Sequence, residues 1–569
     1  MNPSFITLAD CLIAYRKAKS EAFYENPHMQ ALAFADYEKR LLLNLRDLLQ
    51  AIHSHRRPWS EDREWLGRWY YVPKSIRLPD QTNGDGVFYR CLDPLEEWRR
   101  QIAESGDRAT VSFRLMIRPS VNLQMLSALW ILKVGHLLDG ALSKDLSYGN
   151  RLRRQPLSDW GYSGTDPGGI NVDTPGLFRL YPYAYRQWRE NGLSAMESAL
   201  ADNKRIVAIT MDITKFYHRV NPDFVLREPF LAAIGVELSA DQIAFSKQLL
   251  SAIRTWYRTT PDYRKHPGTA LPVGLSASKV LANVLLADFD RGFVDRVKPL
   301  YYGRYVDDFF IVLSPEEGVD SGGGLMDFMA RANPGVLTRV NTGSASGLRL
   351  TLPYAEDSEL LFGAEKQKFF NLSGAYGLDL VAHISEQIRK QSSEHRFLPI
   401  VPETGQEMAS RALLAQPEAS LEVDAIRKAD VISVRRLGFA LLLRDMESYG
   451  RDLPPQSWRK RRGEFYDLIS RHVVTPQGLF EFVRYMRRVF GLMVACRDYD
   501  AASDLVQRLQ EVTTTLRETT TAGTTDRAEF ISCMEYCAVT LIEAAMKPRP
   551  SHGSNGPGNY LRCWCSLES

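Results

Sequence analysis

The sequence predicts an α+β protein in which a β-containing first part is followed by an all-α C-terminal part. Two apolar runs at 206–213 and 305–313 are rich in β-branched and aromatic residues, which is typical of strands. Beyond about residue 380 the apolar residues recur at helical spacing, with short breaks between the segments. The predicted C-terminal helices are 423–448, 458–472, 477–496, 500–518 and 527–546.

Two adjacent carboxylates, Asp307 and Asp308, lie between two predicted strands. Adjacent like charges repel each other, and a tight hairpin turn favours Asn-Gly or Asp-Gly instead. Stability alone therefore gives no reason for the pair, whereas a bound cation would explain it. A solvated acidic turn is the alternative for an Asp-Asp pair taken in isolation.

A third carboxylate, Asp212, ends the strand predicted at 206–213. If the two strands are neighbours, Asp212 and Asp307 can share divalent ions. A few carboxylates, with the remaining positions left to water and substrate phosphate, form the usual protein site for Mg²⁺. Two such ions roughly 3.5–4 Å apart activate an attacking hydroxyl and stabilise a leaving phosphate.

Four segments, in this order along the chain, resemble the sequence boxes of reverse transcriptases. They are 146–152 (LSYGNRL), 212–217 (DITKFY), 271–283 (LPVGLSASKVLAN) and 305–308 (YVDD). The resemblance covers about residues 100 to 375. It implies the fingers and palm of a right-hand polymerase, and the abortive-infection and other defence-associated bacterial reverse transcriptases are the most similar group.

The resemblance assigns the catalytic centre to carboxylates. Asp212, Asp307 and Asp308, with the backbone of Ile213, would hold two Mg²⁺ ions, with Mn²⁺ as the alternative ion. Lys366 matches a lysine that lies near the leaving pyrophosphate, where a cation can assist departure. Lys368 is the second choice for that role, and an exposed strand lysine is the alternative interpretation.

The same resemblance implies the nucleotide-binding residues. Tyr217, which follows Phe216, corresponds to an aromatic gate under the sugar that favours deoxynucleotides. Gly274 and Ser278 would shape the floor beneath the nucleotide, and Gly274 permits a close backbone approach. Arg114 and Arg118 lie in a predicted strand at 111–119 and offer planar forks for a triphosphate. A solvated strand face is the alternative for these two arginines.

Two departures from the family pattern concern the template. Most reverse transcriptases carry Gln at the position of Val273, and a Pro or Gly is common where this chain has Lys279. Both changes favour the defence-associated group over enzymes that copy a template processively.

These interpretations divide the chain into five regions. They are an N-terminal helical segment (1–58), fingers (59–204), a palm with the carboxylates (205–378), a HEAT-like helical C-terminal domain (379–547) and a mobile tail (548–569). The region 161–176 is predicted to be a loop, as is the glycine-rich stretch at 322–324.

Composition indicates a soluble cytoplasmic protein. The 569 residues are 44% apolar and 24% charged, with a net charge of +3, so nucleic acid would be bound by local basic patches such as Arg151, Arg153 and Arg154. No apolar run reaches the ~18 residues of a membrane span, and no secretory signal is recognised. The seven cysteines form no zinc pattern and are interpreted as reduced thiols.

The expected activity is that of a reverse-transcriptase-like DNA polymerase of antiphage defence, a nucleotidyltransferase that polymerises dNTPs. In the similar proteins, synthesis starts from a protein hydroxyl and the DNA stays covalently attached. Two alternatives remain: a conventional enzyme that copies a dedicated non-coding RNA, and a non-catalytic scaffold that binds nucleic acid. The helical half is expected to form a homo-oligomer.

Overall fold

A computed structural model describes residues 2–24, 30–54, 58–79, 93–155, 169–314, 319, 321–342, 345–363, 367–393, 424–521 and 527–546. The chain is α+β, with small sheets in its first part and helices throughout the described C-terminal part. The predicted fold class is confirmed at this level. The tail at 548–569 lies outside the described residues.

The strands form three antiparallel sheets within the described residues. They are β1 (Arg68–Arg77), β2 (Thr110–Arg118), β3 (Ile206–Asp212), β4 (Tyr301–Tyr305), β5 (Asp308–Leu313), β6 (Leu337–Thr342), β7 (Ala345–Leu350), β8 (Leu360–Phe362) and β9 (Lys368–Leu372). Strands β1 and β2 pair with each other, β6, β7 and β8 form a second sheet, and the central sheet has the order β4-β5-β3-β9.

Helices surround these sheets in the first part of the chain. They are α1 (Leu8–Tyr24), α2 (Ala31–Glu38), α3 (Leu41–His53), α4 (Arg63–Leu66), α5 (Pro94–Ser105), α6 (Val121–Trp130), α7 (His136–Gly140), α8 (Tyr181–Ala201), α9 (Phe216–Arg219), α10 (Glu228–Ile234), α11 (Ala240–Arg258), α12 (Asp262–Lys265), α13 (Ser276–Val284), α14 (Ala287–Val297), α15 (Gly322–Ala332) and α16 (Gly374–Ser393).

The C-terminal helices follow the sequence prediction closely. They are α17 (Asp424–Asp452), α18 (Arg459–Leu468), α19 (Pro476–Ala495), α20 (Tyr499–Thr519) and α21 (Arg527–Met546). Helix α19 packs against α17, α20 and α21. The described helices therefore form a bundle around α19, whose apolar side chains recur at helical spacing.

The central sheet is buried on both faces, which explains why its strands are continuous apolar runs. Neighbouring strand residues point to opposite faces. Phe310 faces α8, where its ring centroid lies 6.2 Å from that of Trp188. Phe309 faces the other way, 6.2 Å from Phe289 of α14 and 5.2 Å from Phe362 of β8.

The apolar interior divides into two large clusters, one under the central sheet and one in the C-terminal bundle. Helix α5, which the sequence assigned to the fingers, contributes Leu95 and Trp98 to the C-terminal cluster. The indole Nε1 of Trp98 donates to Thr519 Oγ1 at 2.9 Å, and Arg508 pairs with Asp93 at 2.8 Å. The two parts of the chain thus share a core.

Two predictions of secondary structure need correction. The glycine-rich stretch at 322–324 begins helix α15, because Ser321 caps it by accepting a hydrogen bond from the Gly324 amide at 3.1 Å. The apolar spacing at 230–256 also predicts one continuous helix, but α10 ends before Gly235, where φ is +67°, and a new helix, α11, begins with a Ser239 capping box. Only residues 169–176 of the predicted loop at 161–176 are described.

One apolar helical stretch among the described residues, Val121–Gly140, is long enough to cross a membrane. Most of it is buried inside the protein, where Trp130 donates to Ser246 Oγ at 2.9 Å. This is the environment of a core helix in a soluble protein. Cys11, Cys496, Cys533 and Cys537 are thiols, as predicted for the cysteines among the described residues.

Candidate functional site

The register of β3 and β5 brings two carboxylates together at the end of the central sheet. Asp212, the last residue of β3, is directly opposite Asp308, the first residue of β5. Asp307 lies in the turn before β5, and its carbonyl accepts a hydrogen bond from the Ile213 amide at 3.3 Å. Like charges placed opposite each other destabilise a sheet. Stability therefore gives no reason for their position.

The turn that carries Asp307 has an unfavourable backbone conformation. Val306 has φ +62°, a region that β-branched residues rarely adopt. Such a residue costs about 1–3 kcal/mol and persists only where its surroundings impose it. Here Arg304 Nη1 donates to the Val306 carbonyl at 2.7 Å. A Cβ at Gly149 would lie 2.9 Å from Val306 Cγ2, so that glycine is required for close packing.

A buried polar network fixes the turn. The Arg304 side chain is 0% exposed and pairs with Asp290 of α14 at 2.6 Å. Its Nη1 donates to Asn283 Oδ1 at 2.9 Å, and the Tyr302 hydroxyl donates to Asp290 at 2.5 Å. Burial raises the pKa of Tyr302 well above its usual value, and Asp290 raises the pKa of Arg304. The guanidinium therefore stays charged and holds the turn.

The 146–152 segment is tied to this network. The Tyr148 amide donates to the Arg304 carbonyl at 2.9 Å, and the Arg304 amide donates to the Leu146 carbonyl at 2.8 Å. Asn283 Nδ2 donates to the Gly149 carbonyl at 2.7 Å. Three of the four sequence boxes are thus joined at the turn that carries Asp307. The sequence analysis did not identify Arg304, Asn283 and Asp290 as supports of the turn. Their signal in the sequence was the presence of polar residues within apolar runs.

Aromatic residues of α8 pack against Tyr305 of the β4–β5 hairpin. The rings of Tyr181, Tyr185 and Trp188 lie 5.5, 5.4 and 6.0 Å from the ring of Tyr305. A Cβ at Gly192 would lie 2.1 Å from the Phe310 ring. Packing accounts for Tyr185 and Trp188, whereas Tyr181 and Tyr183 are largely exposed.

The segments 212–217 and 271–283 also contact each other. Phe216 is buried and Tyr217 is half-buried, and the Tyr217 carbonyl accepts a hydrogen bond from the Leu271 amide at 2.8 Å. Gly274 has φ +104°, which favours glycine. The Val273 carbonyl accepts from the Ile117 amide of β2 at 3.0 Å. The middle box is therefore attached both to the predicted sugar gate and to the sheet of β1 and β2.

Ser278, which was predicted to shape the floor beneath a nucleotide, is fully buried in α13. Its hydroxyl has no hydrogen-bond partner among the described residues. The ammonium of Lys279 lies 4.8 Å from the Phe178 ring centroid and 3.7 Å from Glu21.

Arg114 and Arg118 lie on one face of β2, because residues four apart in a strand point the same way. Arg114 is exposed and makes no hydrogen bond or ion pair with the described residues, whereas Arg118 is half-exposed. Burial and the charge of Arg484 lower the pKa of Arg114, whereas the negative charges of Asp307 and Tyr217 raise it. The Arg114 guanidinium thus lies within electrostatic range of Asp307.

Only one of the two candidate lysines lies among the described residues. Lys366 lies outside the described residues. Lys368 begins β9 directly opposite Thr210. Thr210 and Asp212 are two residues apart, so Lys368 shares the face of the sheet that carries Asp212 and Asp308.

His218, which the sequence analysis did not single out, is surrounded by charges. Burial lowers the pKa of His218 to about 4, and Arg114, Lys74 and Lys215 lower it as well, while Asp262 raises it. The imidazole is neutral near pH 7. Burial is the main cause of this pKa shift, and the nearby cations add to it.

The side chains of the densest basic patch in the predicted fingers bond to other groups of the protein itself. Arg151 pairs with Asp139 at 3.0 Å and also donates to four backbone carbonyls. Arg153 donates to the Phe178 carbonyl and Arg154 to the His136 carbonyl. The predicted contact of this patch with nucleic acid is not supported.

The donor set at the turn fits Mg²⁺. No three side chains of Asp, Glu, His or Cys are grouped as a ready-made metal cage in the parts of the chain that are described. Mg²⁺ is usually bound by one or two carboxylates together with water and substrate phosphates, so it does not require such a cage. Asp212 and Asp308 in register, with Asp307 beside them, provide that kind of oxygen donor.

Comparison of the chain with models of known protein families and with curated protein sequences finds no match.

Proposed function

We propose that the protein is a DNA polymerase similar to the reverse transcriptases of bacterial antiphage defence, with polymerase fingers and palm followed by a HEAT-like helical domain. The observation that carries the proposal is the register of β3 and β5, which sets Asp212 opposite Asp308 beside Asp307. The strained turn and the buried network of Arg304 support it, because an acidic turn without function has no need of either.

The proposed reaction is the attack of a hydroxyl on the α-phosphate of a dNTP, which forms a P–O bond and releases pyrophosphate. Asp212, Asp307 and Asp308, with the Ile213 carbonyl, would hold two Mg²⁺ or Mn²⁺ ions. When bound, such ions lower the pKa of the hydroxyl and stabilise the leaving pyrophosphate.

The remaining residues bind and orient the nucleotide. Tyr217 would lie under the sugar and exclude a 2′-hydroxyl, and Gly274 would leave room for the close approach of the substrate. Arg114 is exposed and lies within electrostatic range of Asp307, which suits the binding of a triphosphate. Lys366 or Lys368 would assist the departure of pyrophosphate.

The surroundings of Val273 support synthesis without a conventional template. Val273 packs against a small cluster formed by Tyr70, Val72, Met116 and Tyr536. Tyr536 belongs to the C-terminal helix α21, so the helical part covers the position where templated enzymes carry Gln. We therefore favour priming from a protein hydroxyl in a cytoplasmic homo-oligomer, with the DNA remaining attached.

The test uses purified protein, Mg²⁺ and each labelled dNTP without added primer or template. Products are run on a denaturing gel before and after protease and nuclease treatment. Label that moves with the protein until protease digestion is the expected result. Asp307→Ala should abolish it, whereas Asp295→Ala, which changes an exposed carboxylate of α14, should not.

Two other results would overturn parts of the proposal. Unattached DNA whose synthesis disappears after ribonuclease treatment of the protein would identify a dedicated RNA template. Absence of label with every dNTP, together with retained binding of nucleic acid, would indicate a non-catalytic scaffold.

A further inference from the structure

The N-terminal end of α8 presents aromatic side chains to solvent. Tyr181 is 59% exposed and Tyr183 is 66% exposed, and Leu180 directly before them is 43% exposed. Single apolar side chains on a surface need no explanation, whereas a contiguous group of them is typical of a binding site. Packing within the chain leaves a large part of each of these three side chains in contact with solvent.

This exposed surface lies next to the carboxylates. The Tyr181 ring stacks on Tyr185 at 5.3 Å and makes an edge-to-face contact with Tyr305 at 5.5 Å. Tyr305 is directly opposite Asp308 in the pairing of β4 with β5. Residues directly opposite each other in an antiparallel pair share one face of the sheet. The exposed end of α8 therefore borders the face of the central sheet that carries Asp308.

Arginine side chains are interleaved with the rings. The Arg186 guanidinium lies 5.6 Å from the centroid of the Tyr183 ring, and Arg189 lies 5.9 Å from that of a second tyrosine of α8. The segment 179–189 contains three arginines and no acidic residue, and Glu190 follows it. Surfaces that bind a single strand of nucleic acid combine these two elements, because the rings stack on bases and the cations attract the phosphates.

The size of the exposed surface suits a strand better than a protein partner. An aromatic side chain offers about 150–250 Å², so two partly buried tyrosines with one leucine offer at most roughly 400 Å². A stable protein interface buries about 800 Å² on each partner. A base needs much less area, because its flat face matches that of one aromatic ring.

We propose that Tyr181 and Tyr183, together with Arg186, form a stacking surface that holds single-stranded DNA beside Asp308. The choice of DNA rests on the proposed function, in which the strand next to the carboxylates is the DNA that the protein synthesises. Every base has a flat π face, so the surface holds the strand whatever its sequence. Stacking keeps the strand near the carboxylates.

The test compares Tyr183→Ala with Tyr376→Ala. Tyr183 is the more exposed of the two proposed rings, and Tyr376 in α16 is 91% exposed. The neighbouring Gly377 lies against the opposite end of α8, where an added Cβ would be 3.1 Å from Leu200. The control therefore removes an exposed tyrosine about 25 Å from Tyr183 along the helix, at a rise of about 1.5 Å per residue.

Four fluorescent probes separate stacking from charge. They are oligo(dT), oligo(U), a DNA duplex of the same length, and an abasic strand with the same sugar–phosphate backbone. Their binding is measured by fluorescence anisotropy at constant ionic strength, without Mg²⁺ or dNTPs. Circular dichroism and melting temperature show that the variants are folded, and light scattering gives their oligomeric mass.

We expect Tyr183→Ala to weaken binding of oligo(dT) by about 5- to 100-fold, the effect of losing one base–aromatic stack. Tyr183→Phe, which keeps the ring, and Tyr376→Ala should stay within about 2-fold of wild type, since neither removes a stack. The abasic strand and the duplex should bind equally to wild type and Tyr183→Ala, because neither offers an unstacked base to the ring.

Wild-type affinity of Tyr183→Ala for oligo(dT) would overturn the inference. An equal loss for oligo(dT) and the abasic strand would also overturn it, since charge and not stacking would then bind the strand. A loss confined to oligo(U) would overturn the assignment to DNA. A changed oligomeric mass with unchanged affinity would show that the surface is instead a contact between copies of the chain.

The same measurements separate this inference from the proposed polymerase activity. If the protein binds oligo(dT) through Tyr183 but incorporates no dNTP, the stacking surface stands and the polymerase proposal fails. If it incorporates dNTPs and Tyr183→Ala binds oligo(dT) as wild type does, the polymerase proposal stands and the inference fails.

Discussion

The β4–β5 hairpin and the C-terminal bundle are stabilised in different ways. The hairpin depends on a few directional contacts around Arg304, whose guanidinium contacts Asp290, Asn283 and the Val306 carbonyl. The bundle depends on many interchangeable apolar contacts, with polar pairs such as Arg462–Asp498 among them. Directional contacts specify the position of a few atoms, whereas apolar packing specifies only shape and volume. A single substitution should therefore affect activity in the hairpin and stability in the bundle.

The largest effect is expected from breaking the buried ion pair of the hairpin. Arg304→Met leaves Asp290 buried without its partner, which typically costs 3–5 kcal/mol. The turn also loses the contact that holds Val306. We expect dNTP incorporation to fall by about 100-fold or more, since small displacements of catalytic groups have effects of this size. Single-turnover incorporation per folded molecule is the measurement.

The matched control is Arg462→Met, which breaks the Arg462–Asp498 pair of the bundle, 2.5 Å long in the native protein. It should lower the free energy of unfolding while leaving the incorporation rate of the folded protein unchanged. Equal losses of activity in the two variants would contradict the distinction between the regions. If Arg304→Met does not fold, Arg304→Lys tests the same point, because it keeps the charge without the fork.

Removal of apolar contacts from the bundle should change stability alone. Leu443 of α17 is 0% exposed, and Leu443→Ala should lower the free energy of unfolding by about 2–5 kcal/mol because it leaves a cavity. Denaturant unfolding gives this value. The incorporation rate well below the melting temperature should stay at the wild-type level, and a parallel loss would mean that the bundle positions the active site.

A smaller and more selective effect is expected at the predicted sugar gate. Tyr217→Ala should leave dNTP incorporation within a few-fold of wild type, but raise incorporation of the matching ribonucleotide by about 10-fold or more. The ratio of the two rates is the measurement. An unchanged ratio would remove Tyr217 from the nucleotide site.

The smallest effect concerns acid stability. The pKa of His218 is about 4 in the folded protein, below its usual value of 6.5. As the pH falls from 6.5 to 4 the unfolded chain binds the proton first, so the folded state loses stability across that window. In His218→Gln this contribution is absent, and unfolding free energies at pH 7.5 and 5.0 should differ less than in wild type. The exposed His383→Gln should retain the wild-type difference.

The helices and the central strands could be predicted because their signal is periodic and local. The C-terminal helices, β3 and the pair β4–β5 lie within a few residues of the predicted bounds. The helix α15 was not predicted because three glycines at its start disfavour a helix. The cap provided by Ser321 stabilises the helix in spite of them. The sharing of a core between α5 and the bundle could not be predicted, since it depends on contacts such as Trp98–Thr519 across more than 400 residues.

The candidate site was predicted in part. The sequence analysis made the pairing of the two strands a condition for Asp212 and Asp307 to share ions, and the structure shows these strands paired, with Asp212 opposite Asp308. The support of the turn by Arg304, Asn283 and Asp290 was not anticipated, because their hydrogen bonds join segments that are distant in sequence. The burial of Ser278 was not anticipated either, since alternation within a short helix does not reveal how deep it lies.

The most direct test of the account measures the rate of dNTP incorporation as a function of Mg²⁺ concentration in wild type, Asp212→Asn and Asp295→Asn. Asp212→Asn removes a carboxylate of the site with almost no change in volume, and Asp295→Asn changes an exposed carboxylate elsewhere. The account predicts that Asp212→Asn lowers the rate by about 1,000-fold or more at every Mg²⁺ concentration, because the stabilisation lost is several kcal/mol. Asp295→Asn should match wild type. Wild-type rates in Asp212→Asn would contradict the assignment of catalysis to these carboxylates.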